Sequence, residues 1–560
     1  MAANRLQTSR AANRDVSDRV PGPAQDCRDV IHIAVFFDGT GNNRELDDAT
    51  SKWSNIARMY ESAKIAADSN GSGTLYPVYI SGVGTPFNGK AVDWLSAAGI
   101  WMEDGLPGLG AAAGGDRRMN HGADIVNERL RDVLIANASA HGGNAAKYAS
   151  ENTSKSFKEV NAALAEHRLI KIINLSFFGF SRGAALARAF SNRIIAKCSR
   201  QEGTLIYDGY PLRLNFMGLF DTVASFGVPA QNARTPFTER DLIVSAAVER
   251  CVHYIAAHEV RFSFPVDLIR KNGRLAGEWV EKAYPGVHSD VGGGYEPMAQ
   301  QIDNNFARIP MREMMSEALS SGVRMLSYEE IKRRLAPLFT ERFECRPETD
   351  AAYEKYAASC SGAGRTVEQQ VRKHLKLYYM ANGTMHRRGI ETPGERSRKE
   401  SKYKNFIGSR GMASEVSAYR SVQGAGSWLR LSDTTARGFA QYVKIHNWQL
   451  AAWDATAPEG VIEFVSKYVH DSKVDFLGNV EPFSYFRPRG IDESTDSVWQ
   501  EGGNWIRNKA KSASGAVSEA VEGGRKKAND VASSFEGAAG KIYEGGTRWV
   551  QQRLKGGFDQ

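Results

Sequence analysis

The stretch from Leu169 to Ala196 constrains this chain more than any other. A run of leucine, isoleucine and phenylalanine, Leu169 to Phe178, leads into Gly179-Phe180-Ser181-Arg182-Gly183, and an alanine-rich segment with helical spacing, Ala184 to Ala196, follows at once. An apolar run of this kind stopped by glycine reads as a strand buried on both faces, and such strands belong to parallel sheets covered by helices. Small residues on both sides of the serine allow the tight turn that joins strand to helix.

The same alternation recurs. Val30 to Phe37 reads as a buried strand stopped by Asp38-Gly39-Thr40-Gly41-Asn42-Asn43, Ser54 to Ala67 as a helix, and Leu75 to Ile80 as the next strand. Leu212 to Phe220 reads as a strand, Glu239 to His258 as a helix, and Trp279 to Tyr284 as a short strand. The expected fold is α/β: a doubly wound, mostly parallel sheet whose ligand site lies at the carboxyl ends of the strands.

At 560 residues the chain exceeds the size, about 250–300 residues, at which single cores stop growing, so several units are expected. They are a flexible leader (1–29), an α/β domain (30–308), a helical insertion (309–424) acting as lid or membrane-contacting module, a return to the core (425–490), and a tail (491–560). Within the tail, Gln500 to Leu554 carries apolar residues at helix-like intervals interrupted by glycine pairs, which reads either as a weak amphipathic helix or as a flexible tail.

A hydrophobic fraction of 42% excludes a wholly disordered chain. The formal net charge of +8 gives a mild attraction to anionic surfaces. No nucleic-acid module is visible, so nucleic acid is not an expected partner. The five cysteines are scattered without short-spaced pairs, which speaks against a zinc site and for synthesis in a reducing compartment. The leader lacks the apolar core of a secretory signal. The most apolar long segment, Trp94 to Gly115, is interrupted by Glu103, Asp104 and Pro107 and does not read as a membrane span.

Ser181 sits where a nucleophile elbow would place it, in an α/β-hydrolase-like context. Serine is a weak nucleophile at neutral pH and needs a base and a group to orient that base. Asp221, at the end of the apolar run Leu214 to Phe220, is the expected acid. His288, in the glycine-rich Pro285-Gly-Val-His-Ser-Asp-Val-Gly-Gly293 loop, is the expected base, with His470 and His258 as competitors. Backbone amides of Arg182 and of Gly39 or Thr40 are the candidates for an oxyanion hole. Asp38 and Asp290 are expected to support the site from outside, Asp290 by binding the amides of the His288 loop. No metal and no cofactor are expected.

The blocks Phe36-Phe-Asp38-Gly-Thr-Gly-Asn42, Ser54-Asn55-Ile-Ala, Gly179-Phe-Ser181-Arg-Gly-Ala184, Gly218-Leu-Phe-Asp221-Thr-Val-Ala-Ser225 and Pro285 to Gly293 together resemble the bacterial type VI secretion lipase effectors of the G-x-S-x-G phospholipase A kind. The resemblance covers roughly residues 30 to 300. It implies Ser181 as nucleophile, Asp221 as orienting acid, His288 as base and membrane glycerophospholipid as substrate. It also implies synthesis in the bacterial cytoplasm, injection into a rival's periplasm, a cognate immunity protein, and a spike or adaptor protein as a further partner. An esterase acting on soluble substrates with the same triad, and a hydrolase-like module that only binds, are the alternatives.

Overall fold

The structure, a computed structural model, describes residues 29–85, 110–224, 242–474 and 484–490, except 72, 165, 166, 168, 262, 263, 272, 363, 365, 402–410, 425–444 and 488. All of them belong to the unit spanning 1–495. The expected leader up to residue 28, the tail 491–560 and most of Trp94 to Gly115 lie outside the described residues.

Among the described residues eight strands form one sheet: β1 (Asp29–Phe37), β2 (Leu75–Ile80), β3 (Ile170–Phe180), β4 (Ser199–Gln201), β5 (Thr204–Tyr207), β6 (Tyr210–Phe220), β7 (Cys251–Ala256) and β8 (Val280–Tyr284). Along the path β2-β1-β3-β6-β7-β8 every pairing is parallel. The hairpin β4-β5 adds antiparallel strands beside the first half of β6.

Side chains alternate between two layers, as a pleated strand requires. Ala34, Phe36, Phe178, Phe216 and Phe220 face one core. Ile33, Val35, Phe37, Phe177 and Leu219 face the other. The second layer is built by α2 (Gly110–His141), α3 (Gly143–Glu151), α4 (Phe157–Leu164) and α5 (Arg182–Lys197). Over the first lie α1 (Asn55–Asn70), α6 (His288–Gly292), α7 (Arg308–Ser320), α8 (Tyr328–Arg334), α9 (Pro347–Ala358), α10 (Val367–Arg387) and α11 (Pro393–Glu400), then α12 (Met412–Gly424), α13 (Asn447–Asp454) and α14 (Glu459–Tyr468). Apolar residues of α7 to α10 and α12 to α14 join the same buried cluster as the strands, so this helical layer shares a core with the sheet. Among the described residues no helix is long and apolar enough to cross a membrane.

One expectation needs correction. The described part of Glu239 to His258 is not one helix: residues 242–250 are largely irregular and Cys251–Ala256 is strand β7, buried along its whole length. A strand covered on both faces shows no alternation, so a short apolar run such as Cys-Val-His-Tyr-Ile-Ala cannot be told from a helix by period. Late in the chain α13 and α14 are separate helices, and α14 starts after Pro458, whose ring fixes φ near the helical value but leaves no N–H to continue a preceding helix.

The strands end in register: Phe37 pairs with Gly179, Phe180 with Phe220, Phe220 with Tyr254, and Ala256 with Tyr284. The residues that follow these ends, Asp38, Ser181 and Asp221, therefore emerge along one edge of the sheet, with the Pro285–Gly293 loop beside them.

Candidate active site

Ser181 stands between β3 and α5 with φ 58° and ψ −127°, a strained conformation for a residue with a side chain. The turn holds because the chain closes on itself. Its amide donates to the Phe220 carbonyl at 3.0 Å, and its own carbonyl accepts from Ala184 at 3.0 Å. The glycines on either side are sterically required. A Cβ on Gly179 would lie 2.5 Å from Ala184 Cα, and one on Gly183 would lie 2.3 Å from the carbonyl oxygens of Phe37 and Asp38. The Ser181 side chain makes no capping bond to α5.

Asp221 follows β6 and is fully buried. Its Oδ2 accepts a 2.6 Å hydrogen bond from His288 Nδ1, and Oδ1 accepts one from the Ala256 amide at 2.9 Å. Arg489 adds two more, Nη1 to Oδ2 at 2.7 Å and Nη2 to Oδ1 at 2.6 Å. Burial alone would raise the Asp221 carboxyl, but the Arg489 charge and the His288 hydrogen bond outweigh it and hold the carboxyl well below the usual carboxylate range. The residue is therefore an anion facing an imidazole, which fixes the tautomer with the proton on Nδ1 and leaves Nε2 as the basic nitrogen.

His288 opens α6, four residues past the end of β8. Its ring packs against Phe180, the residue before Ser181, at 4.6 Å between centroids, and meets the edge of Phe264 at 5.1 Å. Burial pulls the imidazole below its ordinary value while Asp221 pulls it up. Its amide donates to Glu259 Oε2 at 3.2 Å. Burial by itself would raise the Glu259 carboxyl, yet Arg261, bonded at 2.8 and 2.9 Å, brings it down to about 2.

The structure thus brings Ser181, Asp221 and His288 to one edge. Of the amides in the turn after β1, those of Asp38, Gly39, Gly41 and Asn42 are engaged with Ile80 O, Asp38 Oδ1, Val83 O and Gly39 O. Among the described residues this leaves Thr40, not Gly39, as the amide of that turn available to a substrate oxygen. The Arg182 guanidinium reaches across to Thr40 Oγ1 and ties that turn to the start of α5. Asp38 is buried and accepts from Gly39 N at 2.7 Å and Tyr79 Oη at 2.6 Å, and burial raises its carboxyl to about 6. It braces the turn.

Asp290 binds the Val287 amide at 2.9 Å, within the loop it was expected to order, and also takes the His470 amide at 3.1 Å and His470 Nδ1 at 2.5 Å. His470 is stacked on Tyr295 and its Nε2 is buried without a hydrogen bond. His258 accepts from the Gly286 amide at 3.0 Å, meets Tyr356 Oη at 3.1 Å and stacks on Tyr378, all inside the helical layer. Neither of these histidines is hydrogen-bonded to Asp221.

Arg489, Glu259 and the ring pair Phe180–Phe264 were not singled out from the sequence. Phe180 could have been, since the residue before the serine must lie against whatever sits over the turn; nothing local distinguishes Arg489 among 72 basic residues. Among the described residues no group of three or more His, Cys, Asp or Glu is arranged to hold a metal.

No curated protein matches the chain. A crystal structure of an uncharacterized protein from Pseudomonas aeruginosa is similar in fold, with a TM-score of 0.56 at 23% identity, covering 88% of this chain and 82% of that one. A structure of the Tle1 effector bound to the VgrG spike of the type VI secretion system aligns with a TM-score of 0.35 at 18% identity, over 62% of this chain and 83% of that one. Residues 197–317, the span holding Asp221 and His288, match the sequence profile of the catalytic domain of Tle1-like phospholipase effectors of type VI secretion. The likeness to that family rests on this span, which takes in part of the sheet and the loop that carries His288.

Proposed function

We propose that the chain cleaves acyl esters of membrane glycerophospholipids with Ser181 as nucleophile, His288 as base and Asp221 as the group that orients it. The observation that carries this reading is the 2.6 Å bond from His288 Nδ1 to a buried, ionised Asp221, with the ring packed on the residue before an elbow serine. His288 Nε2 takes the Ser181 proton as Oγ attacks the ester carbonyl. The Arg182 and Thr40 amides hold the oxyanion, and the proton passes to the departing alcohol. Water then repeats the sequence on the acyl-serine and frees the fatty acid. Each step moves protons between groups already in place, so the chain's own residues account for the reaction.

The family match supports delivery by the type VI apparatus; a spike or adaptor as carrier, a rival's periplasm as destination and an immunity protein in the producer are proposed with it. The described parts of 30–308, 309–424 and 425–490 share one core and are proposed to form the hydrolase together, with 309–424 as the layer that meets lipid.

The test is fatty-acid release from phosphatidylethanolamine and phosphatidylglycerol vesicles labelled separately at each acyl chain. Ser181→Ala is expected to lower release by about 10⁴-fold or more, and the label released distinguishes A1 from A2 cleavage. Wild-type activity in Ser181→Ala would remove the triad reading; activity on short soluble esters alone would turn the protein into an esterase.

A further inference from the structure

Of the hydrogen bonds on the Asp221 carboxylate, His288 and Ala256 each supply one and Arg489 supplies two. Arg489 comes from 268 residues further along the chain, and the pair is closed off from water, with side-chain exposures of 4% and 0%. We propose that Arg489 is a positioning residue of the hydrolase: its guanidinium fixes the plane of the Asp221 carboxylate and, by offsetting its charge, sets the pH at which His288 becomes a working base. The proposal rests on the triad reading given above.

The geometry argues for a role in alignment. Each terminal nitrogen of Arg489 holds one carboxylate oxygen, the planar two-point match that a lysine cannot make. The same nitrogens also donate to the carbonyls of Ala256, at 2.8 Å, and Phe264, at 3.2 Å. One planar group therefore connects the end of β6, the end of β7 and the segment whose Phe264 ring lies against His288. The neighbouring backbone reinforces the attachment, because Val266 N donates to Gly490 O at 3.0 Å.

The charges around His288 argue for a role in its titration. Asp221 faces it from β6 and is neutralised by Arg489. Glu259 faces it from beyond β7 and is neutralised by Arg261. Asp290, on the histidine's own helix, is bound to His470. Each carboxylate near the imidazole thus has a partner other than His288, and Arg489 is the partner of the one that touches the ring. Without it Asp221 would stabilise the imidazolium more strongly, and the base would stay protonated to higher pH.

The experiment compares full-length wild type with Arg489→Met, Arg489→Lys and Ser181→Ala on p-nitrophenyl butyrate across the pH range, with folded sites counted by a fluorophosphonate label. Arg489→Met is expected to move the acid limb of kcat/KM upward by about one to two pH units. Its kcat per labelled site should fall by about 10- to 100-fold with KM within about twofold. Arg489→Lys keeps the charge and is expected to leave the limb in place while kcat drops by about 3- to 10-fold. A limb unmoved in Arg489→Met, with loss confined to the number of labelled sites, would mean a purely structural arginine and overturns the proposal. If Arg489→Met yields no folded protein, Arg489→Lys decides, and wild-type kcat per site in it overturns the proposal equally. An active Ser181→Ala would take the triad reading and this proposal down together; an inactive Ser181→Ala beside an unmoved limb removes the role of Arg489 alone.

Discussion

Two buried aspartate–histidine pairs lie within a few residues of each other, and they differ in what surrounds them. Asp221–His288 is bonded at 2.6 Å and Asp290–His470 at 2.5 Å, both through Nδ1. In each the aspartate also accepts backbone amides, Ala256 for the first, Val287 and His470 for the second. By bond length and burial alone they are equivalent. What separates them is the other side of the imidazole. The His288 ring lies against Phe180 at the elbow, whereas His470 is stacked on Tyr295 at 3.8 Å and 13°, with Nε2 enclosed and unbonded. The residues next to His470 do not complete a local triad either: Asp471 is bound by Arg398 and Tyr485, and Ser472 Oγ donates to Glu259. On the proposed triad reading, an acid–imidazole pair serves as a base only where its second nitrogen meets a nucleophile. Elsewhere the same two residues make a strut.

The sharpest way to break this distinction is to remove each histidine. His288→Ala is expected to lower hydrolysis per folded protein by about 10⁴-fold or more, since members of a working triad act as a unit. His470→Ala is expected to keep activity within about tenfold of wild type, with its loss appearing as stability. Equal losses in both would make the second pair part of the chemistry. Asp290→Asn should come next in size. Asp290 takes both the ring and amide of His470 and also the Val287 amide, so weakening it is expected to cost about 2–4 kcal/mol in urea unfolding. Activity should fall less steeply than stability, because the Asp221–His288 bond does not pass through Asp290. An unfolding midpoint like that of wild type would show that the strut bears little.

How far these pairs were legible beforehand follows from distance along the chain. Ser181 and Asp221 each follow a strand marked by an apolar run, His288 lies in a glycine-rich loop after a short strand, and the glycines flanking Ser181 signal a turn that only a close backbone approach explains. Such cues are local. The partnership of Asp290 with His470 spans 180 residues and that of Asp221 with Arg489 spans 268, and neither leaves a trace in residue type or spacing. The same reasoning covers the fold. Strands β1, β2, β3 and β6 were readable because apolar runs end in turn residues, and the short β8 because Pro285-Gly286 stops it. Strand β7 was hidden inside a segment that also fits a helix, and it became identifiable only once its neighbours β6 and β8 were paired with it. The aspartate expected to serve the His288 loop does so, but its second partner could be found only in three dimensions.

The smallest expected effect tests the enclosure of His470 directly. Tyr295→Phe keeps the ring on His470 and is expected to change activity less than twofold and stability by no more than about 0.5 kcal/mol. Tyr295→Ala removes the ring and exposes Nε2, at a cost of about 2–4 kcal/mol for the lost aromatic packing. If enclosure were all that kept the second pair idle, His288→Ala combined with Tyr295→Ala would regain ester hydrolysis over His288→Ala alone. No recovery is expected, because opening the ring supplies no serine to the exposed nitrogen: the elbow is built by Gly179 and Gly183 against α5 and β1, and its neighbour Phe180 lies on His288. A gain of even tenfold in the double variant would show that access, and not the position of the nucleophile, decides which pair works.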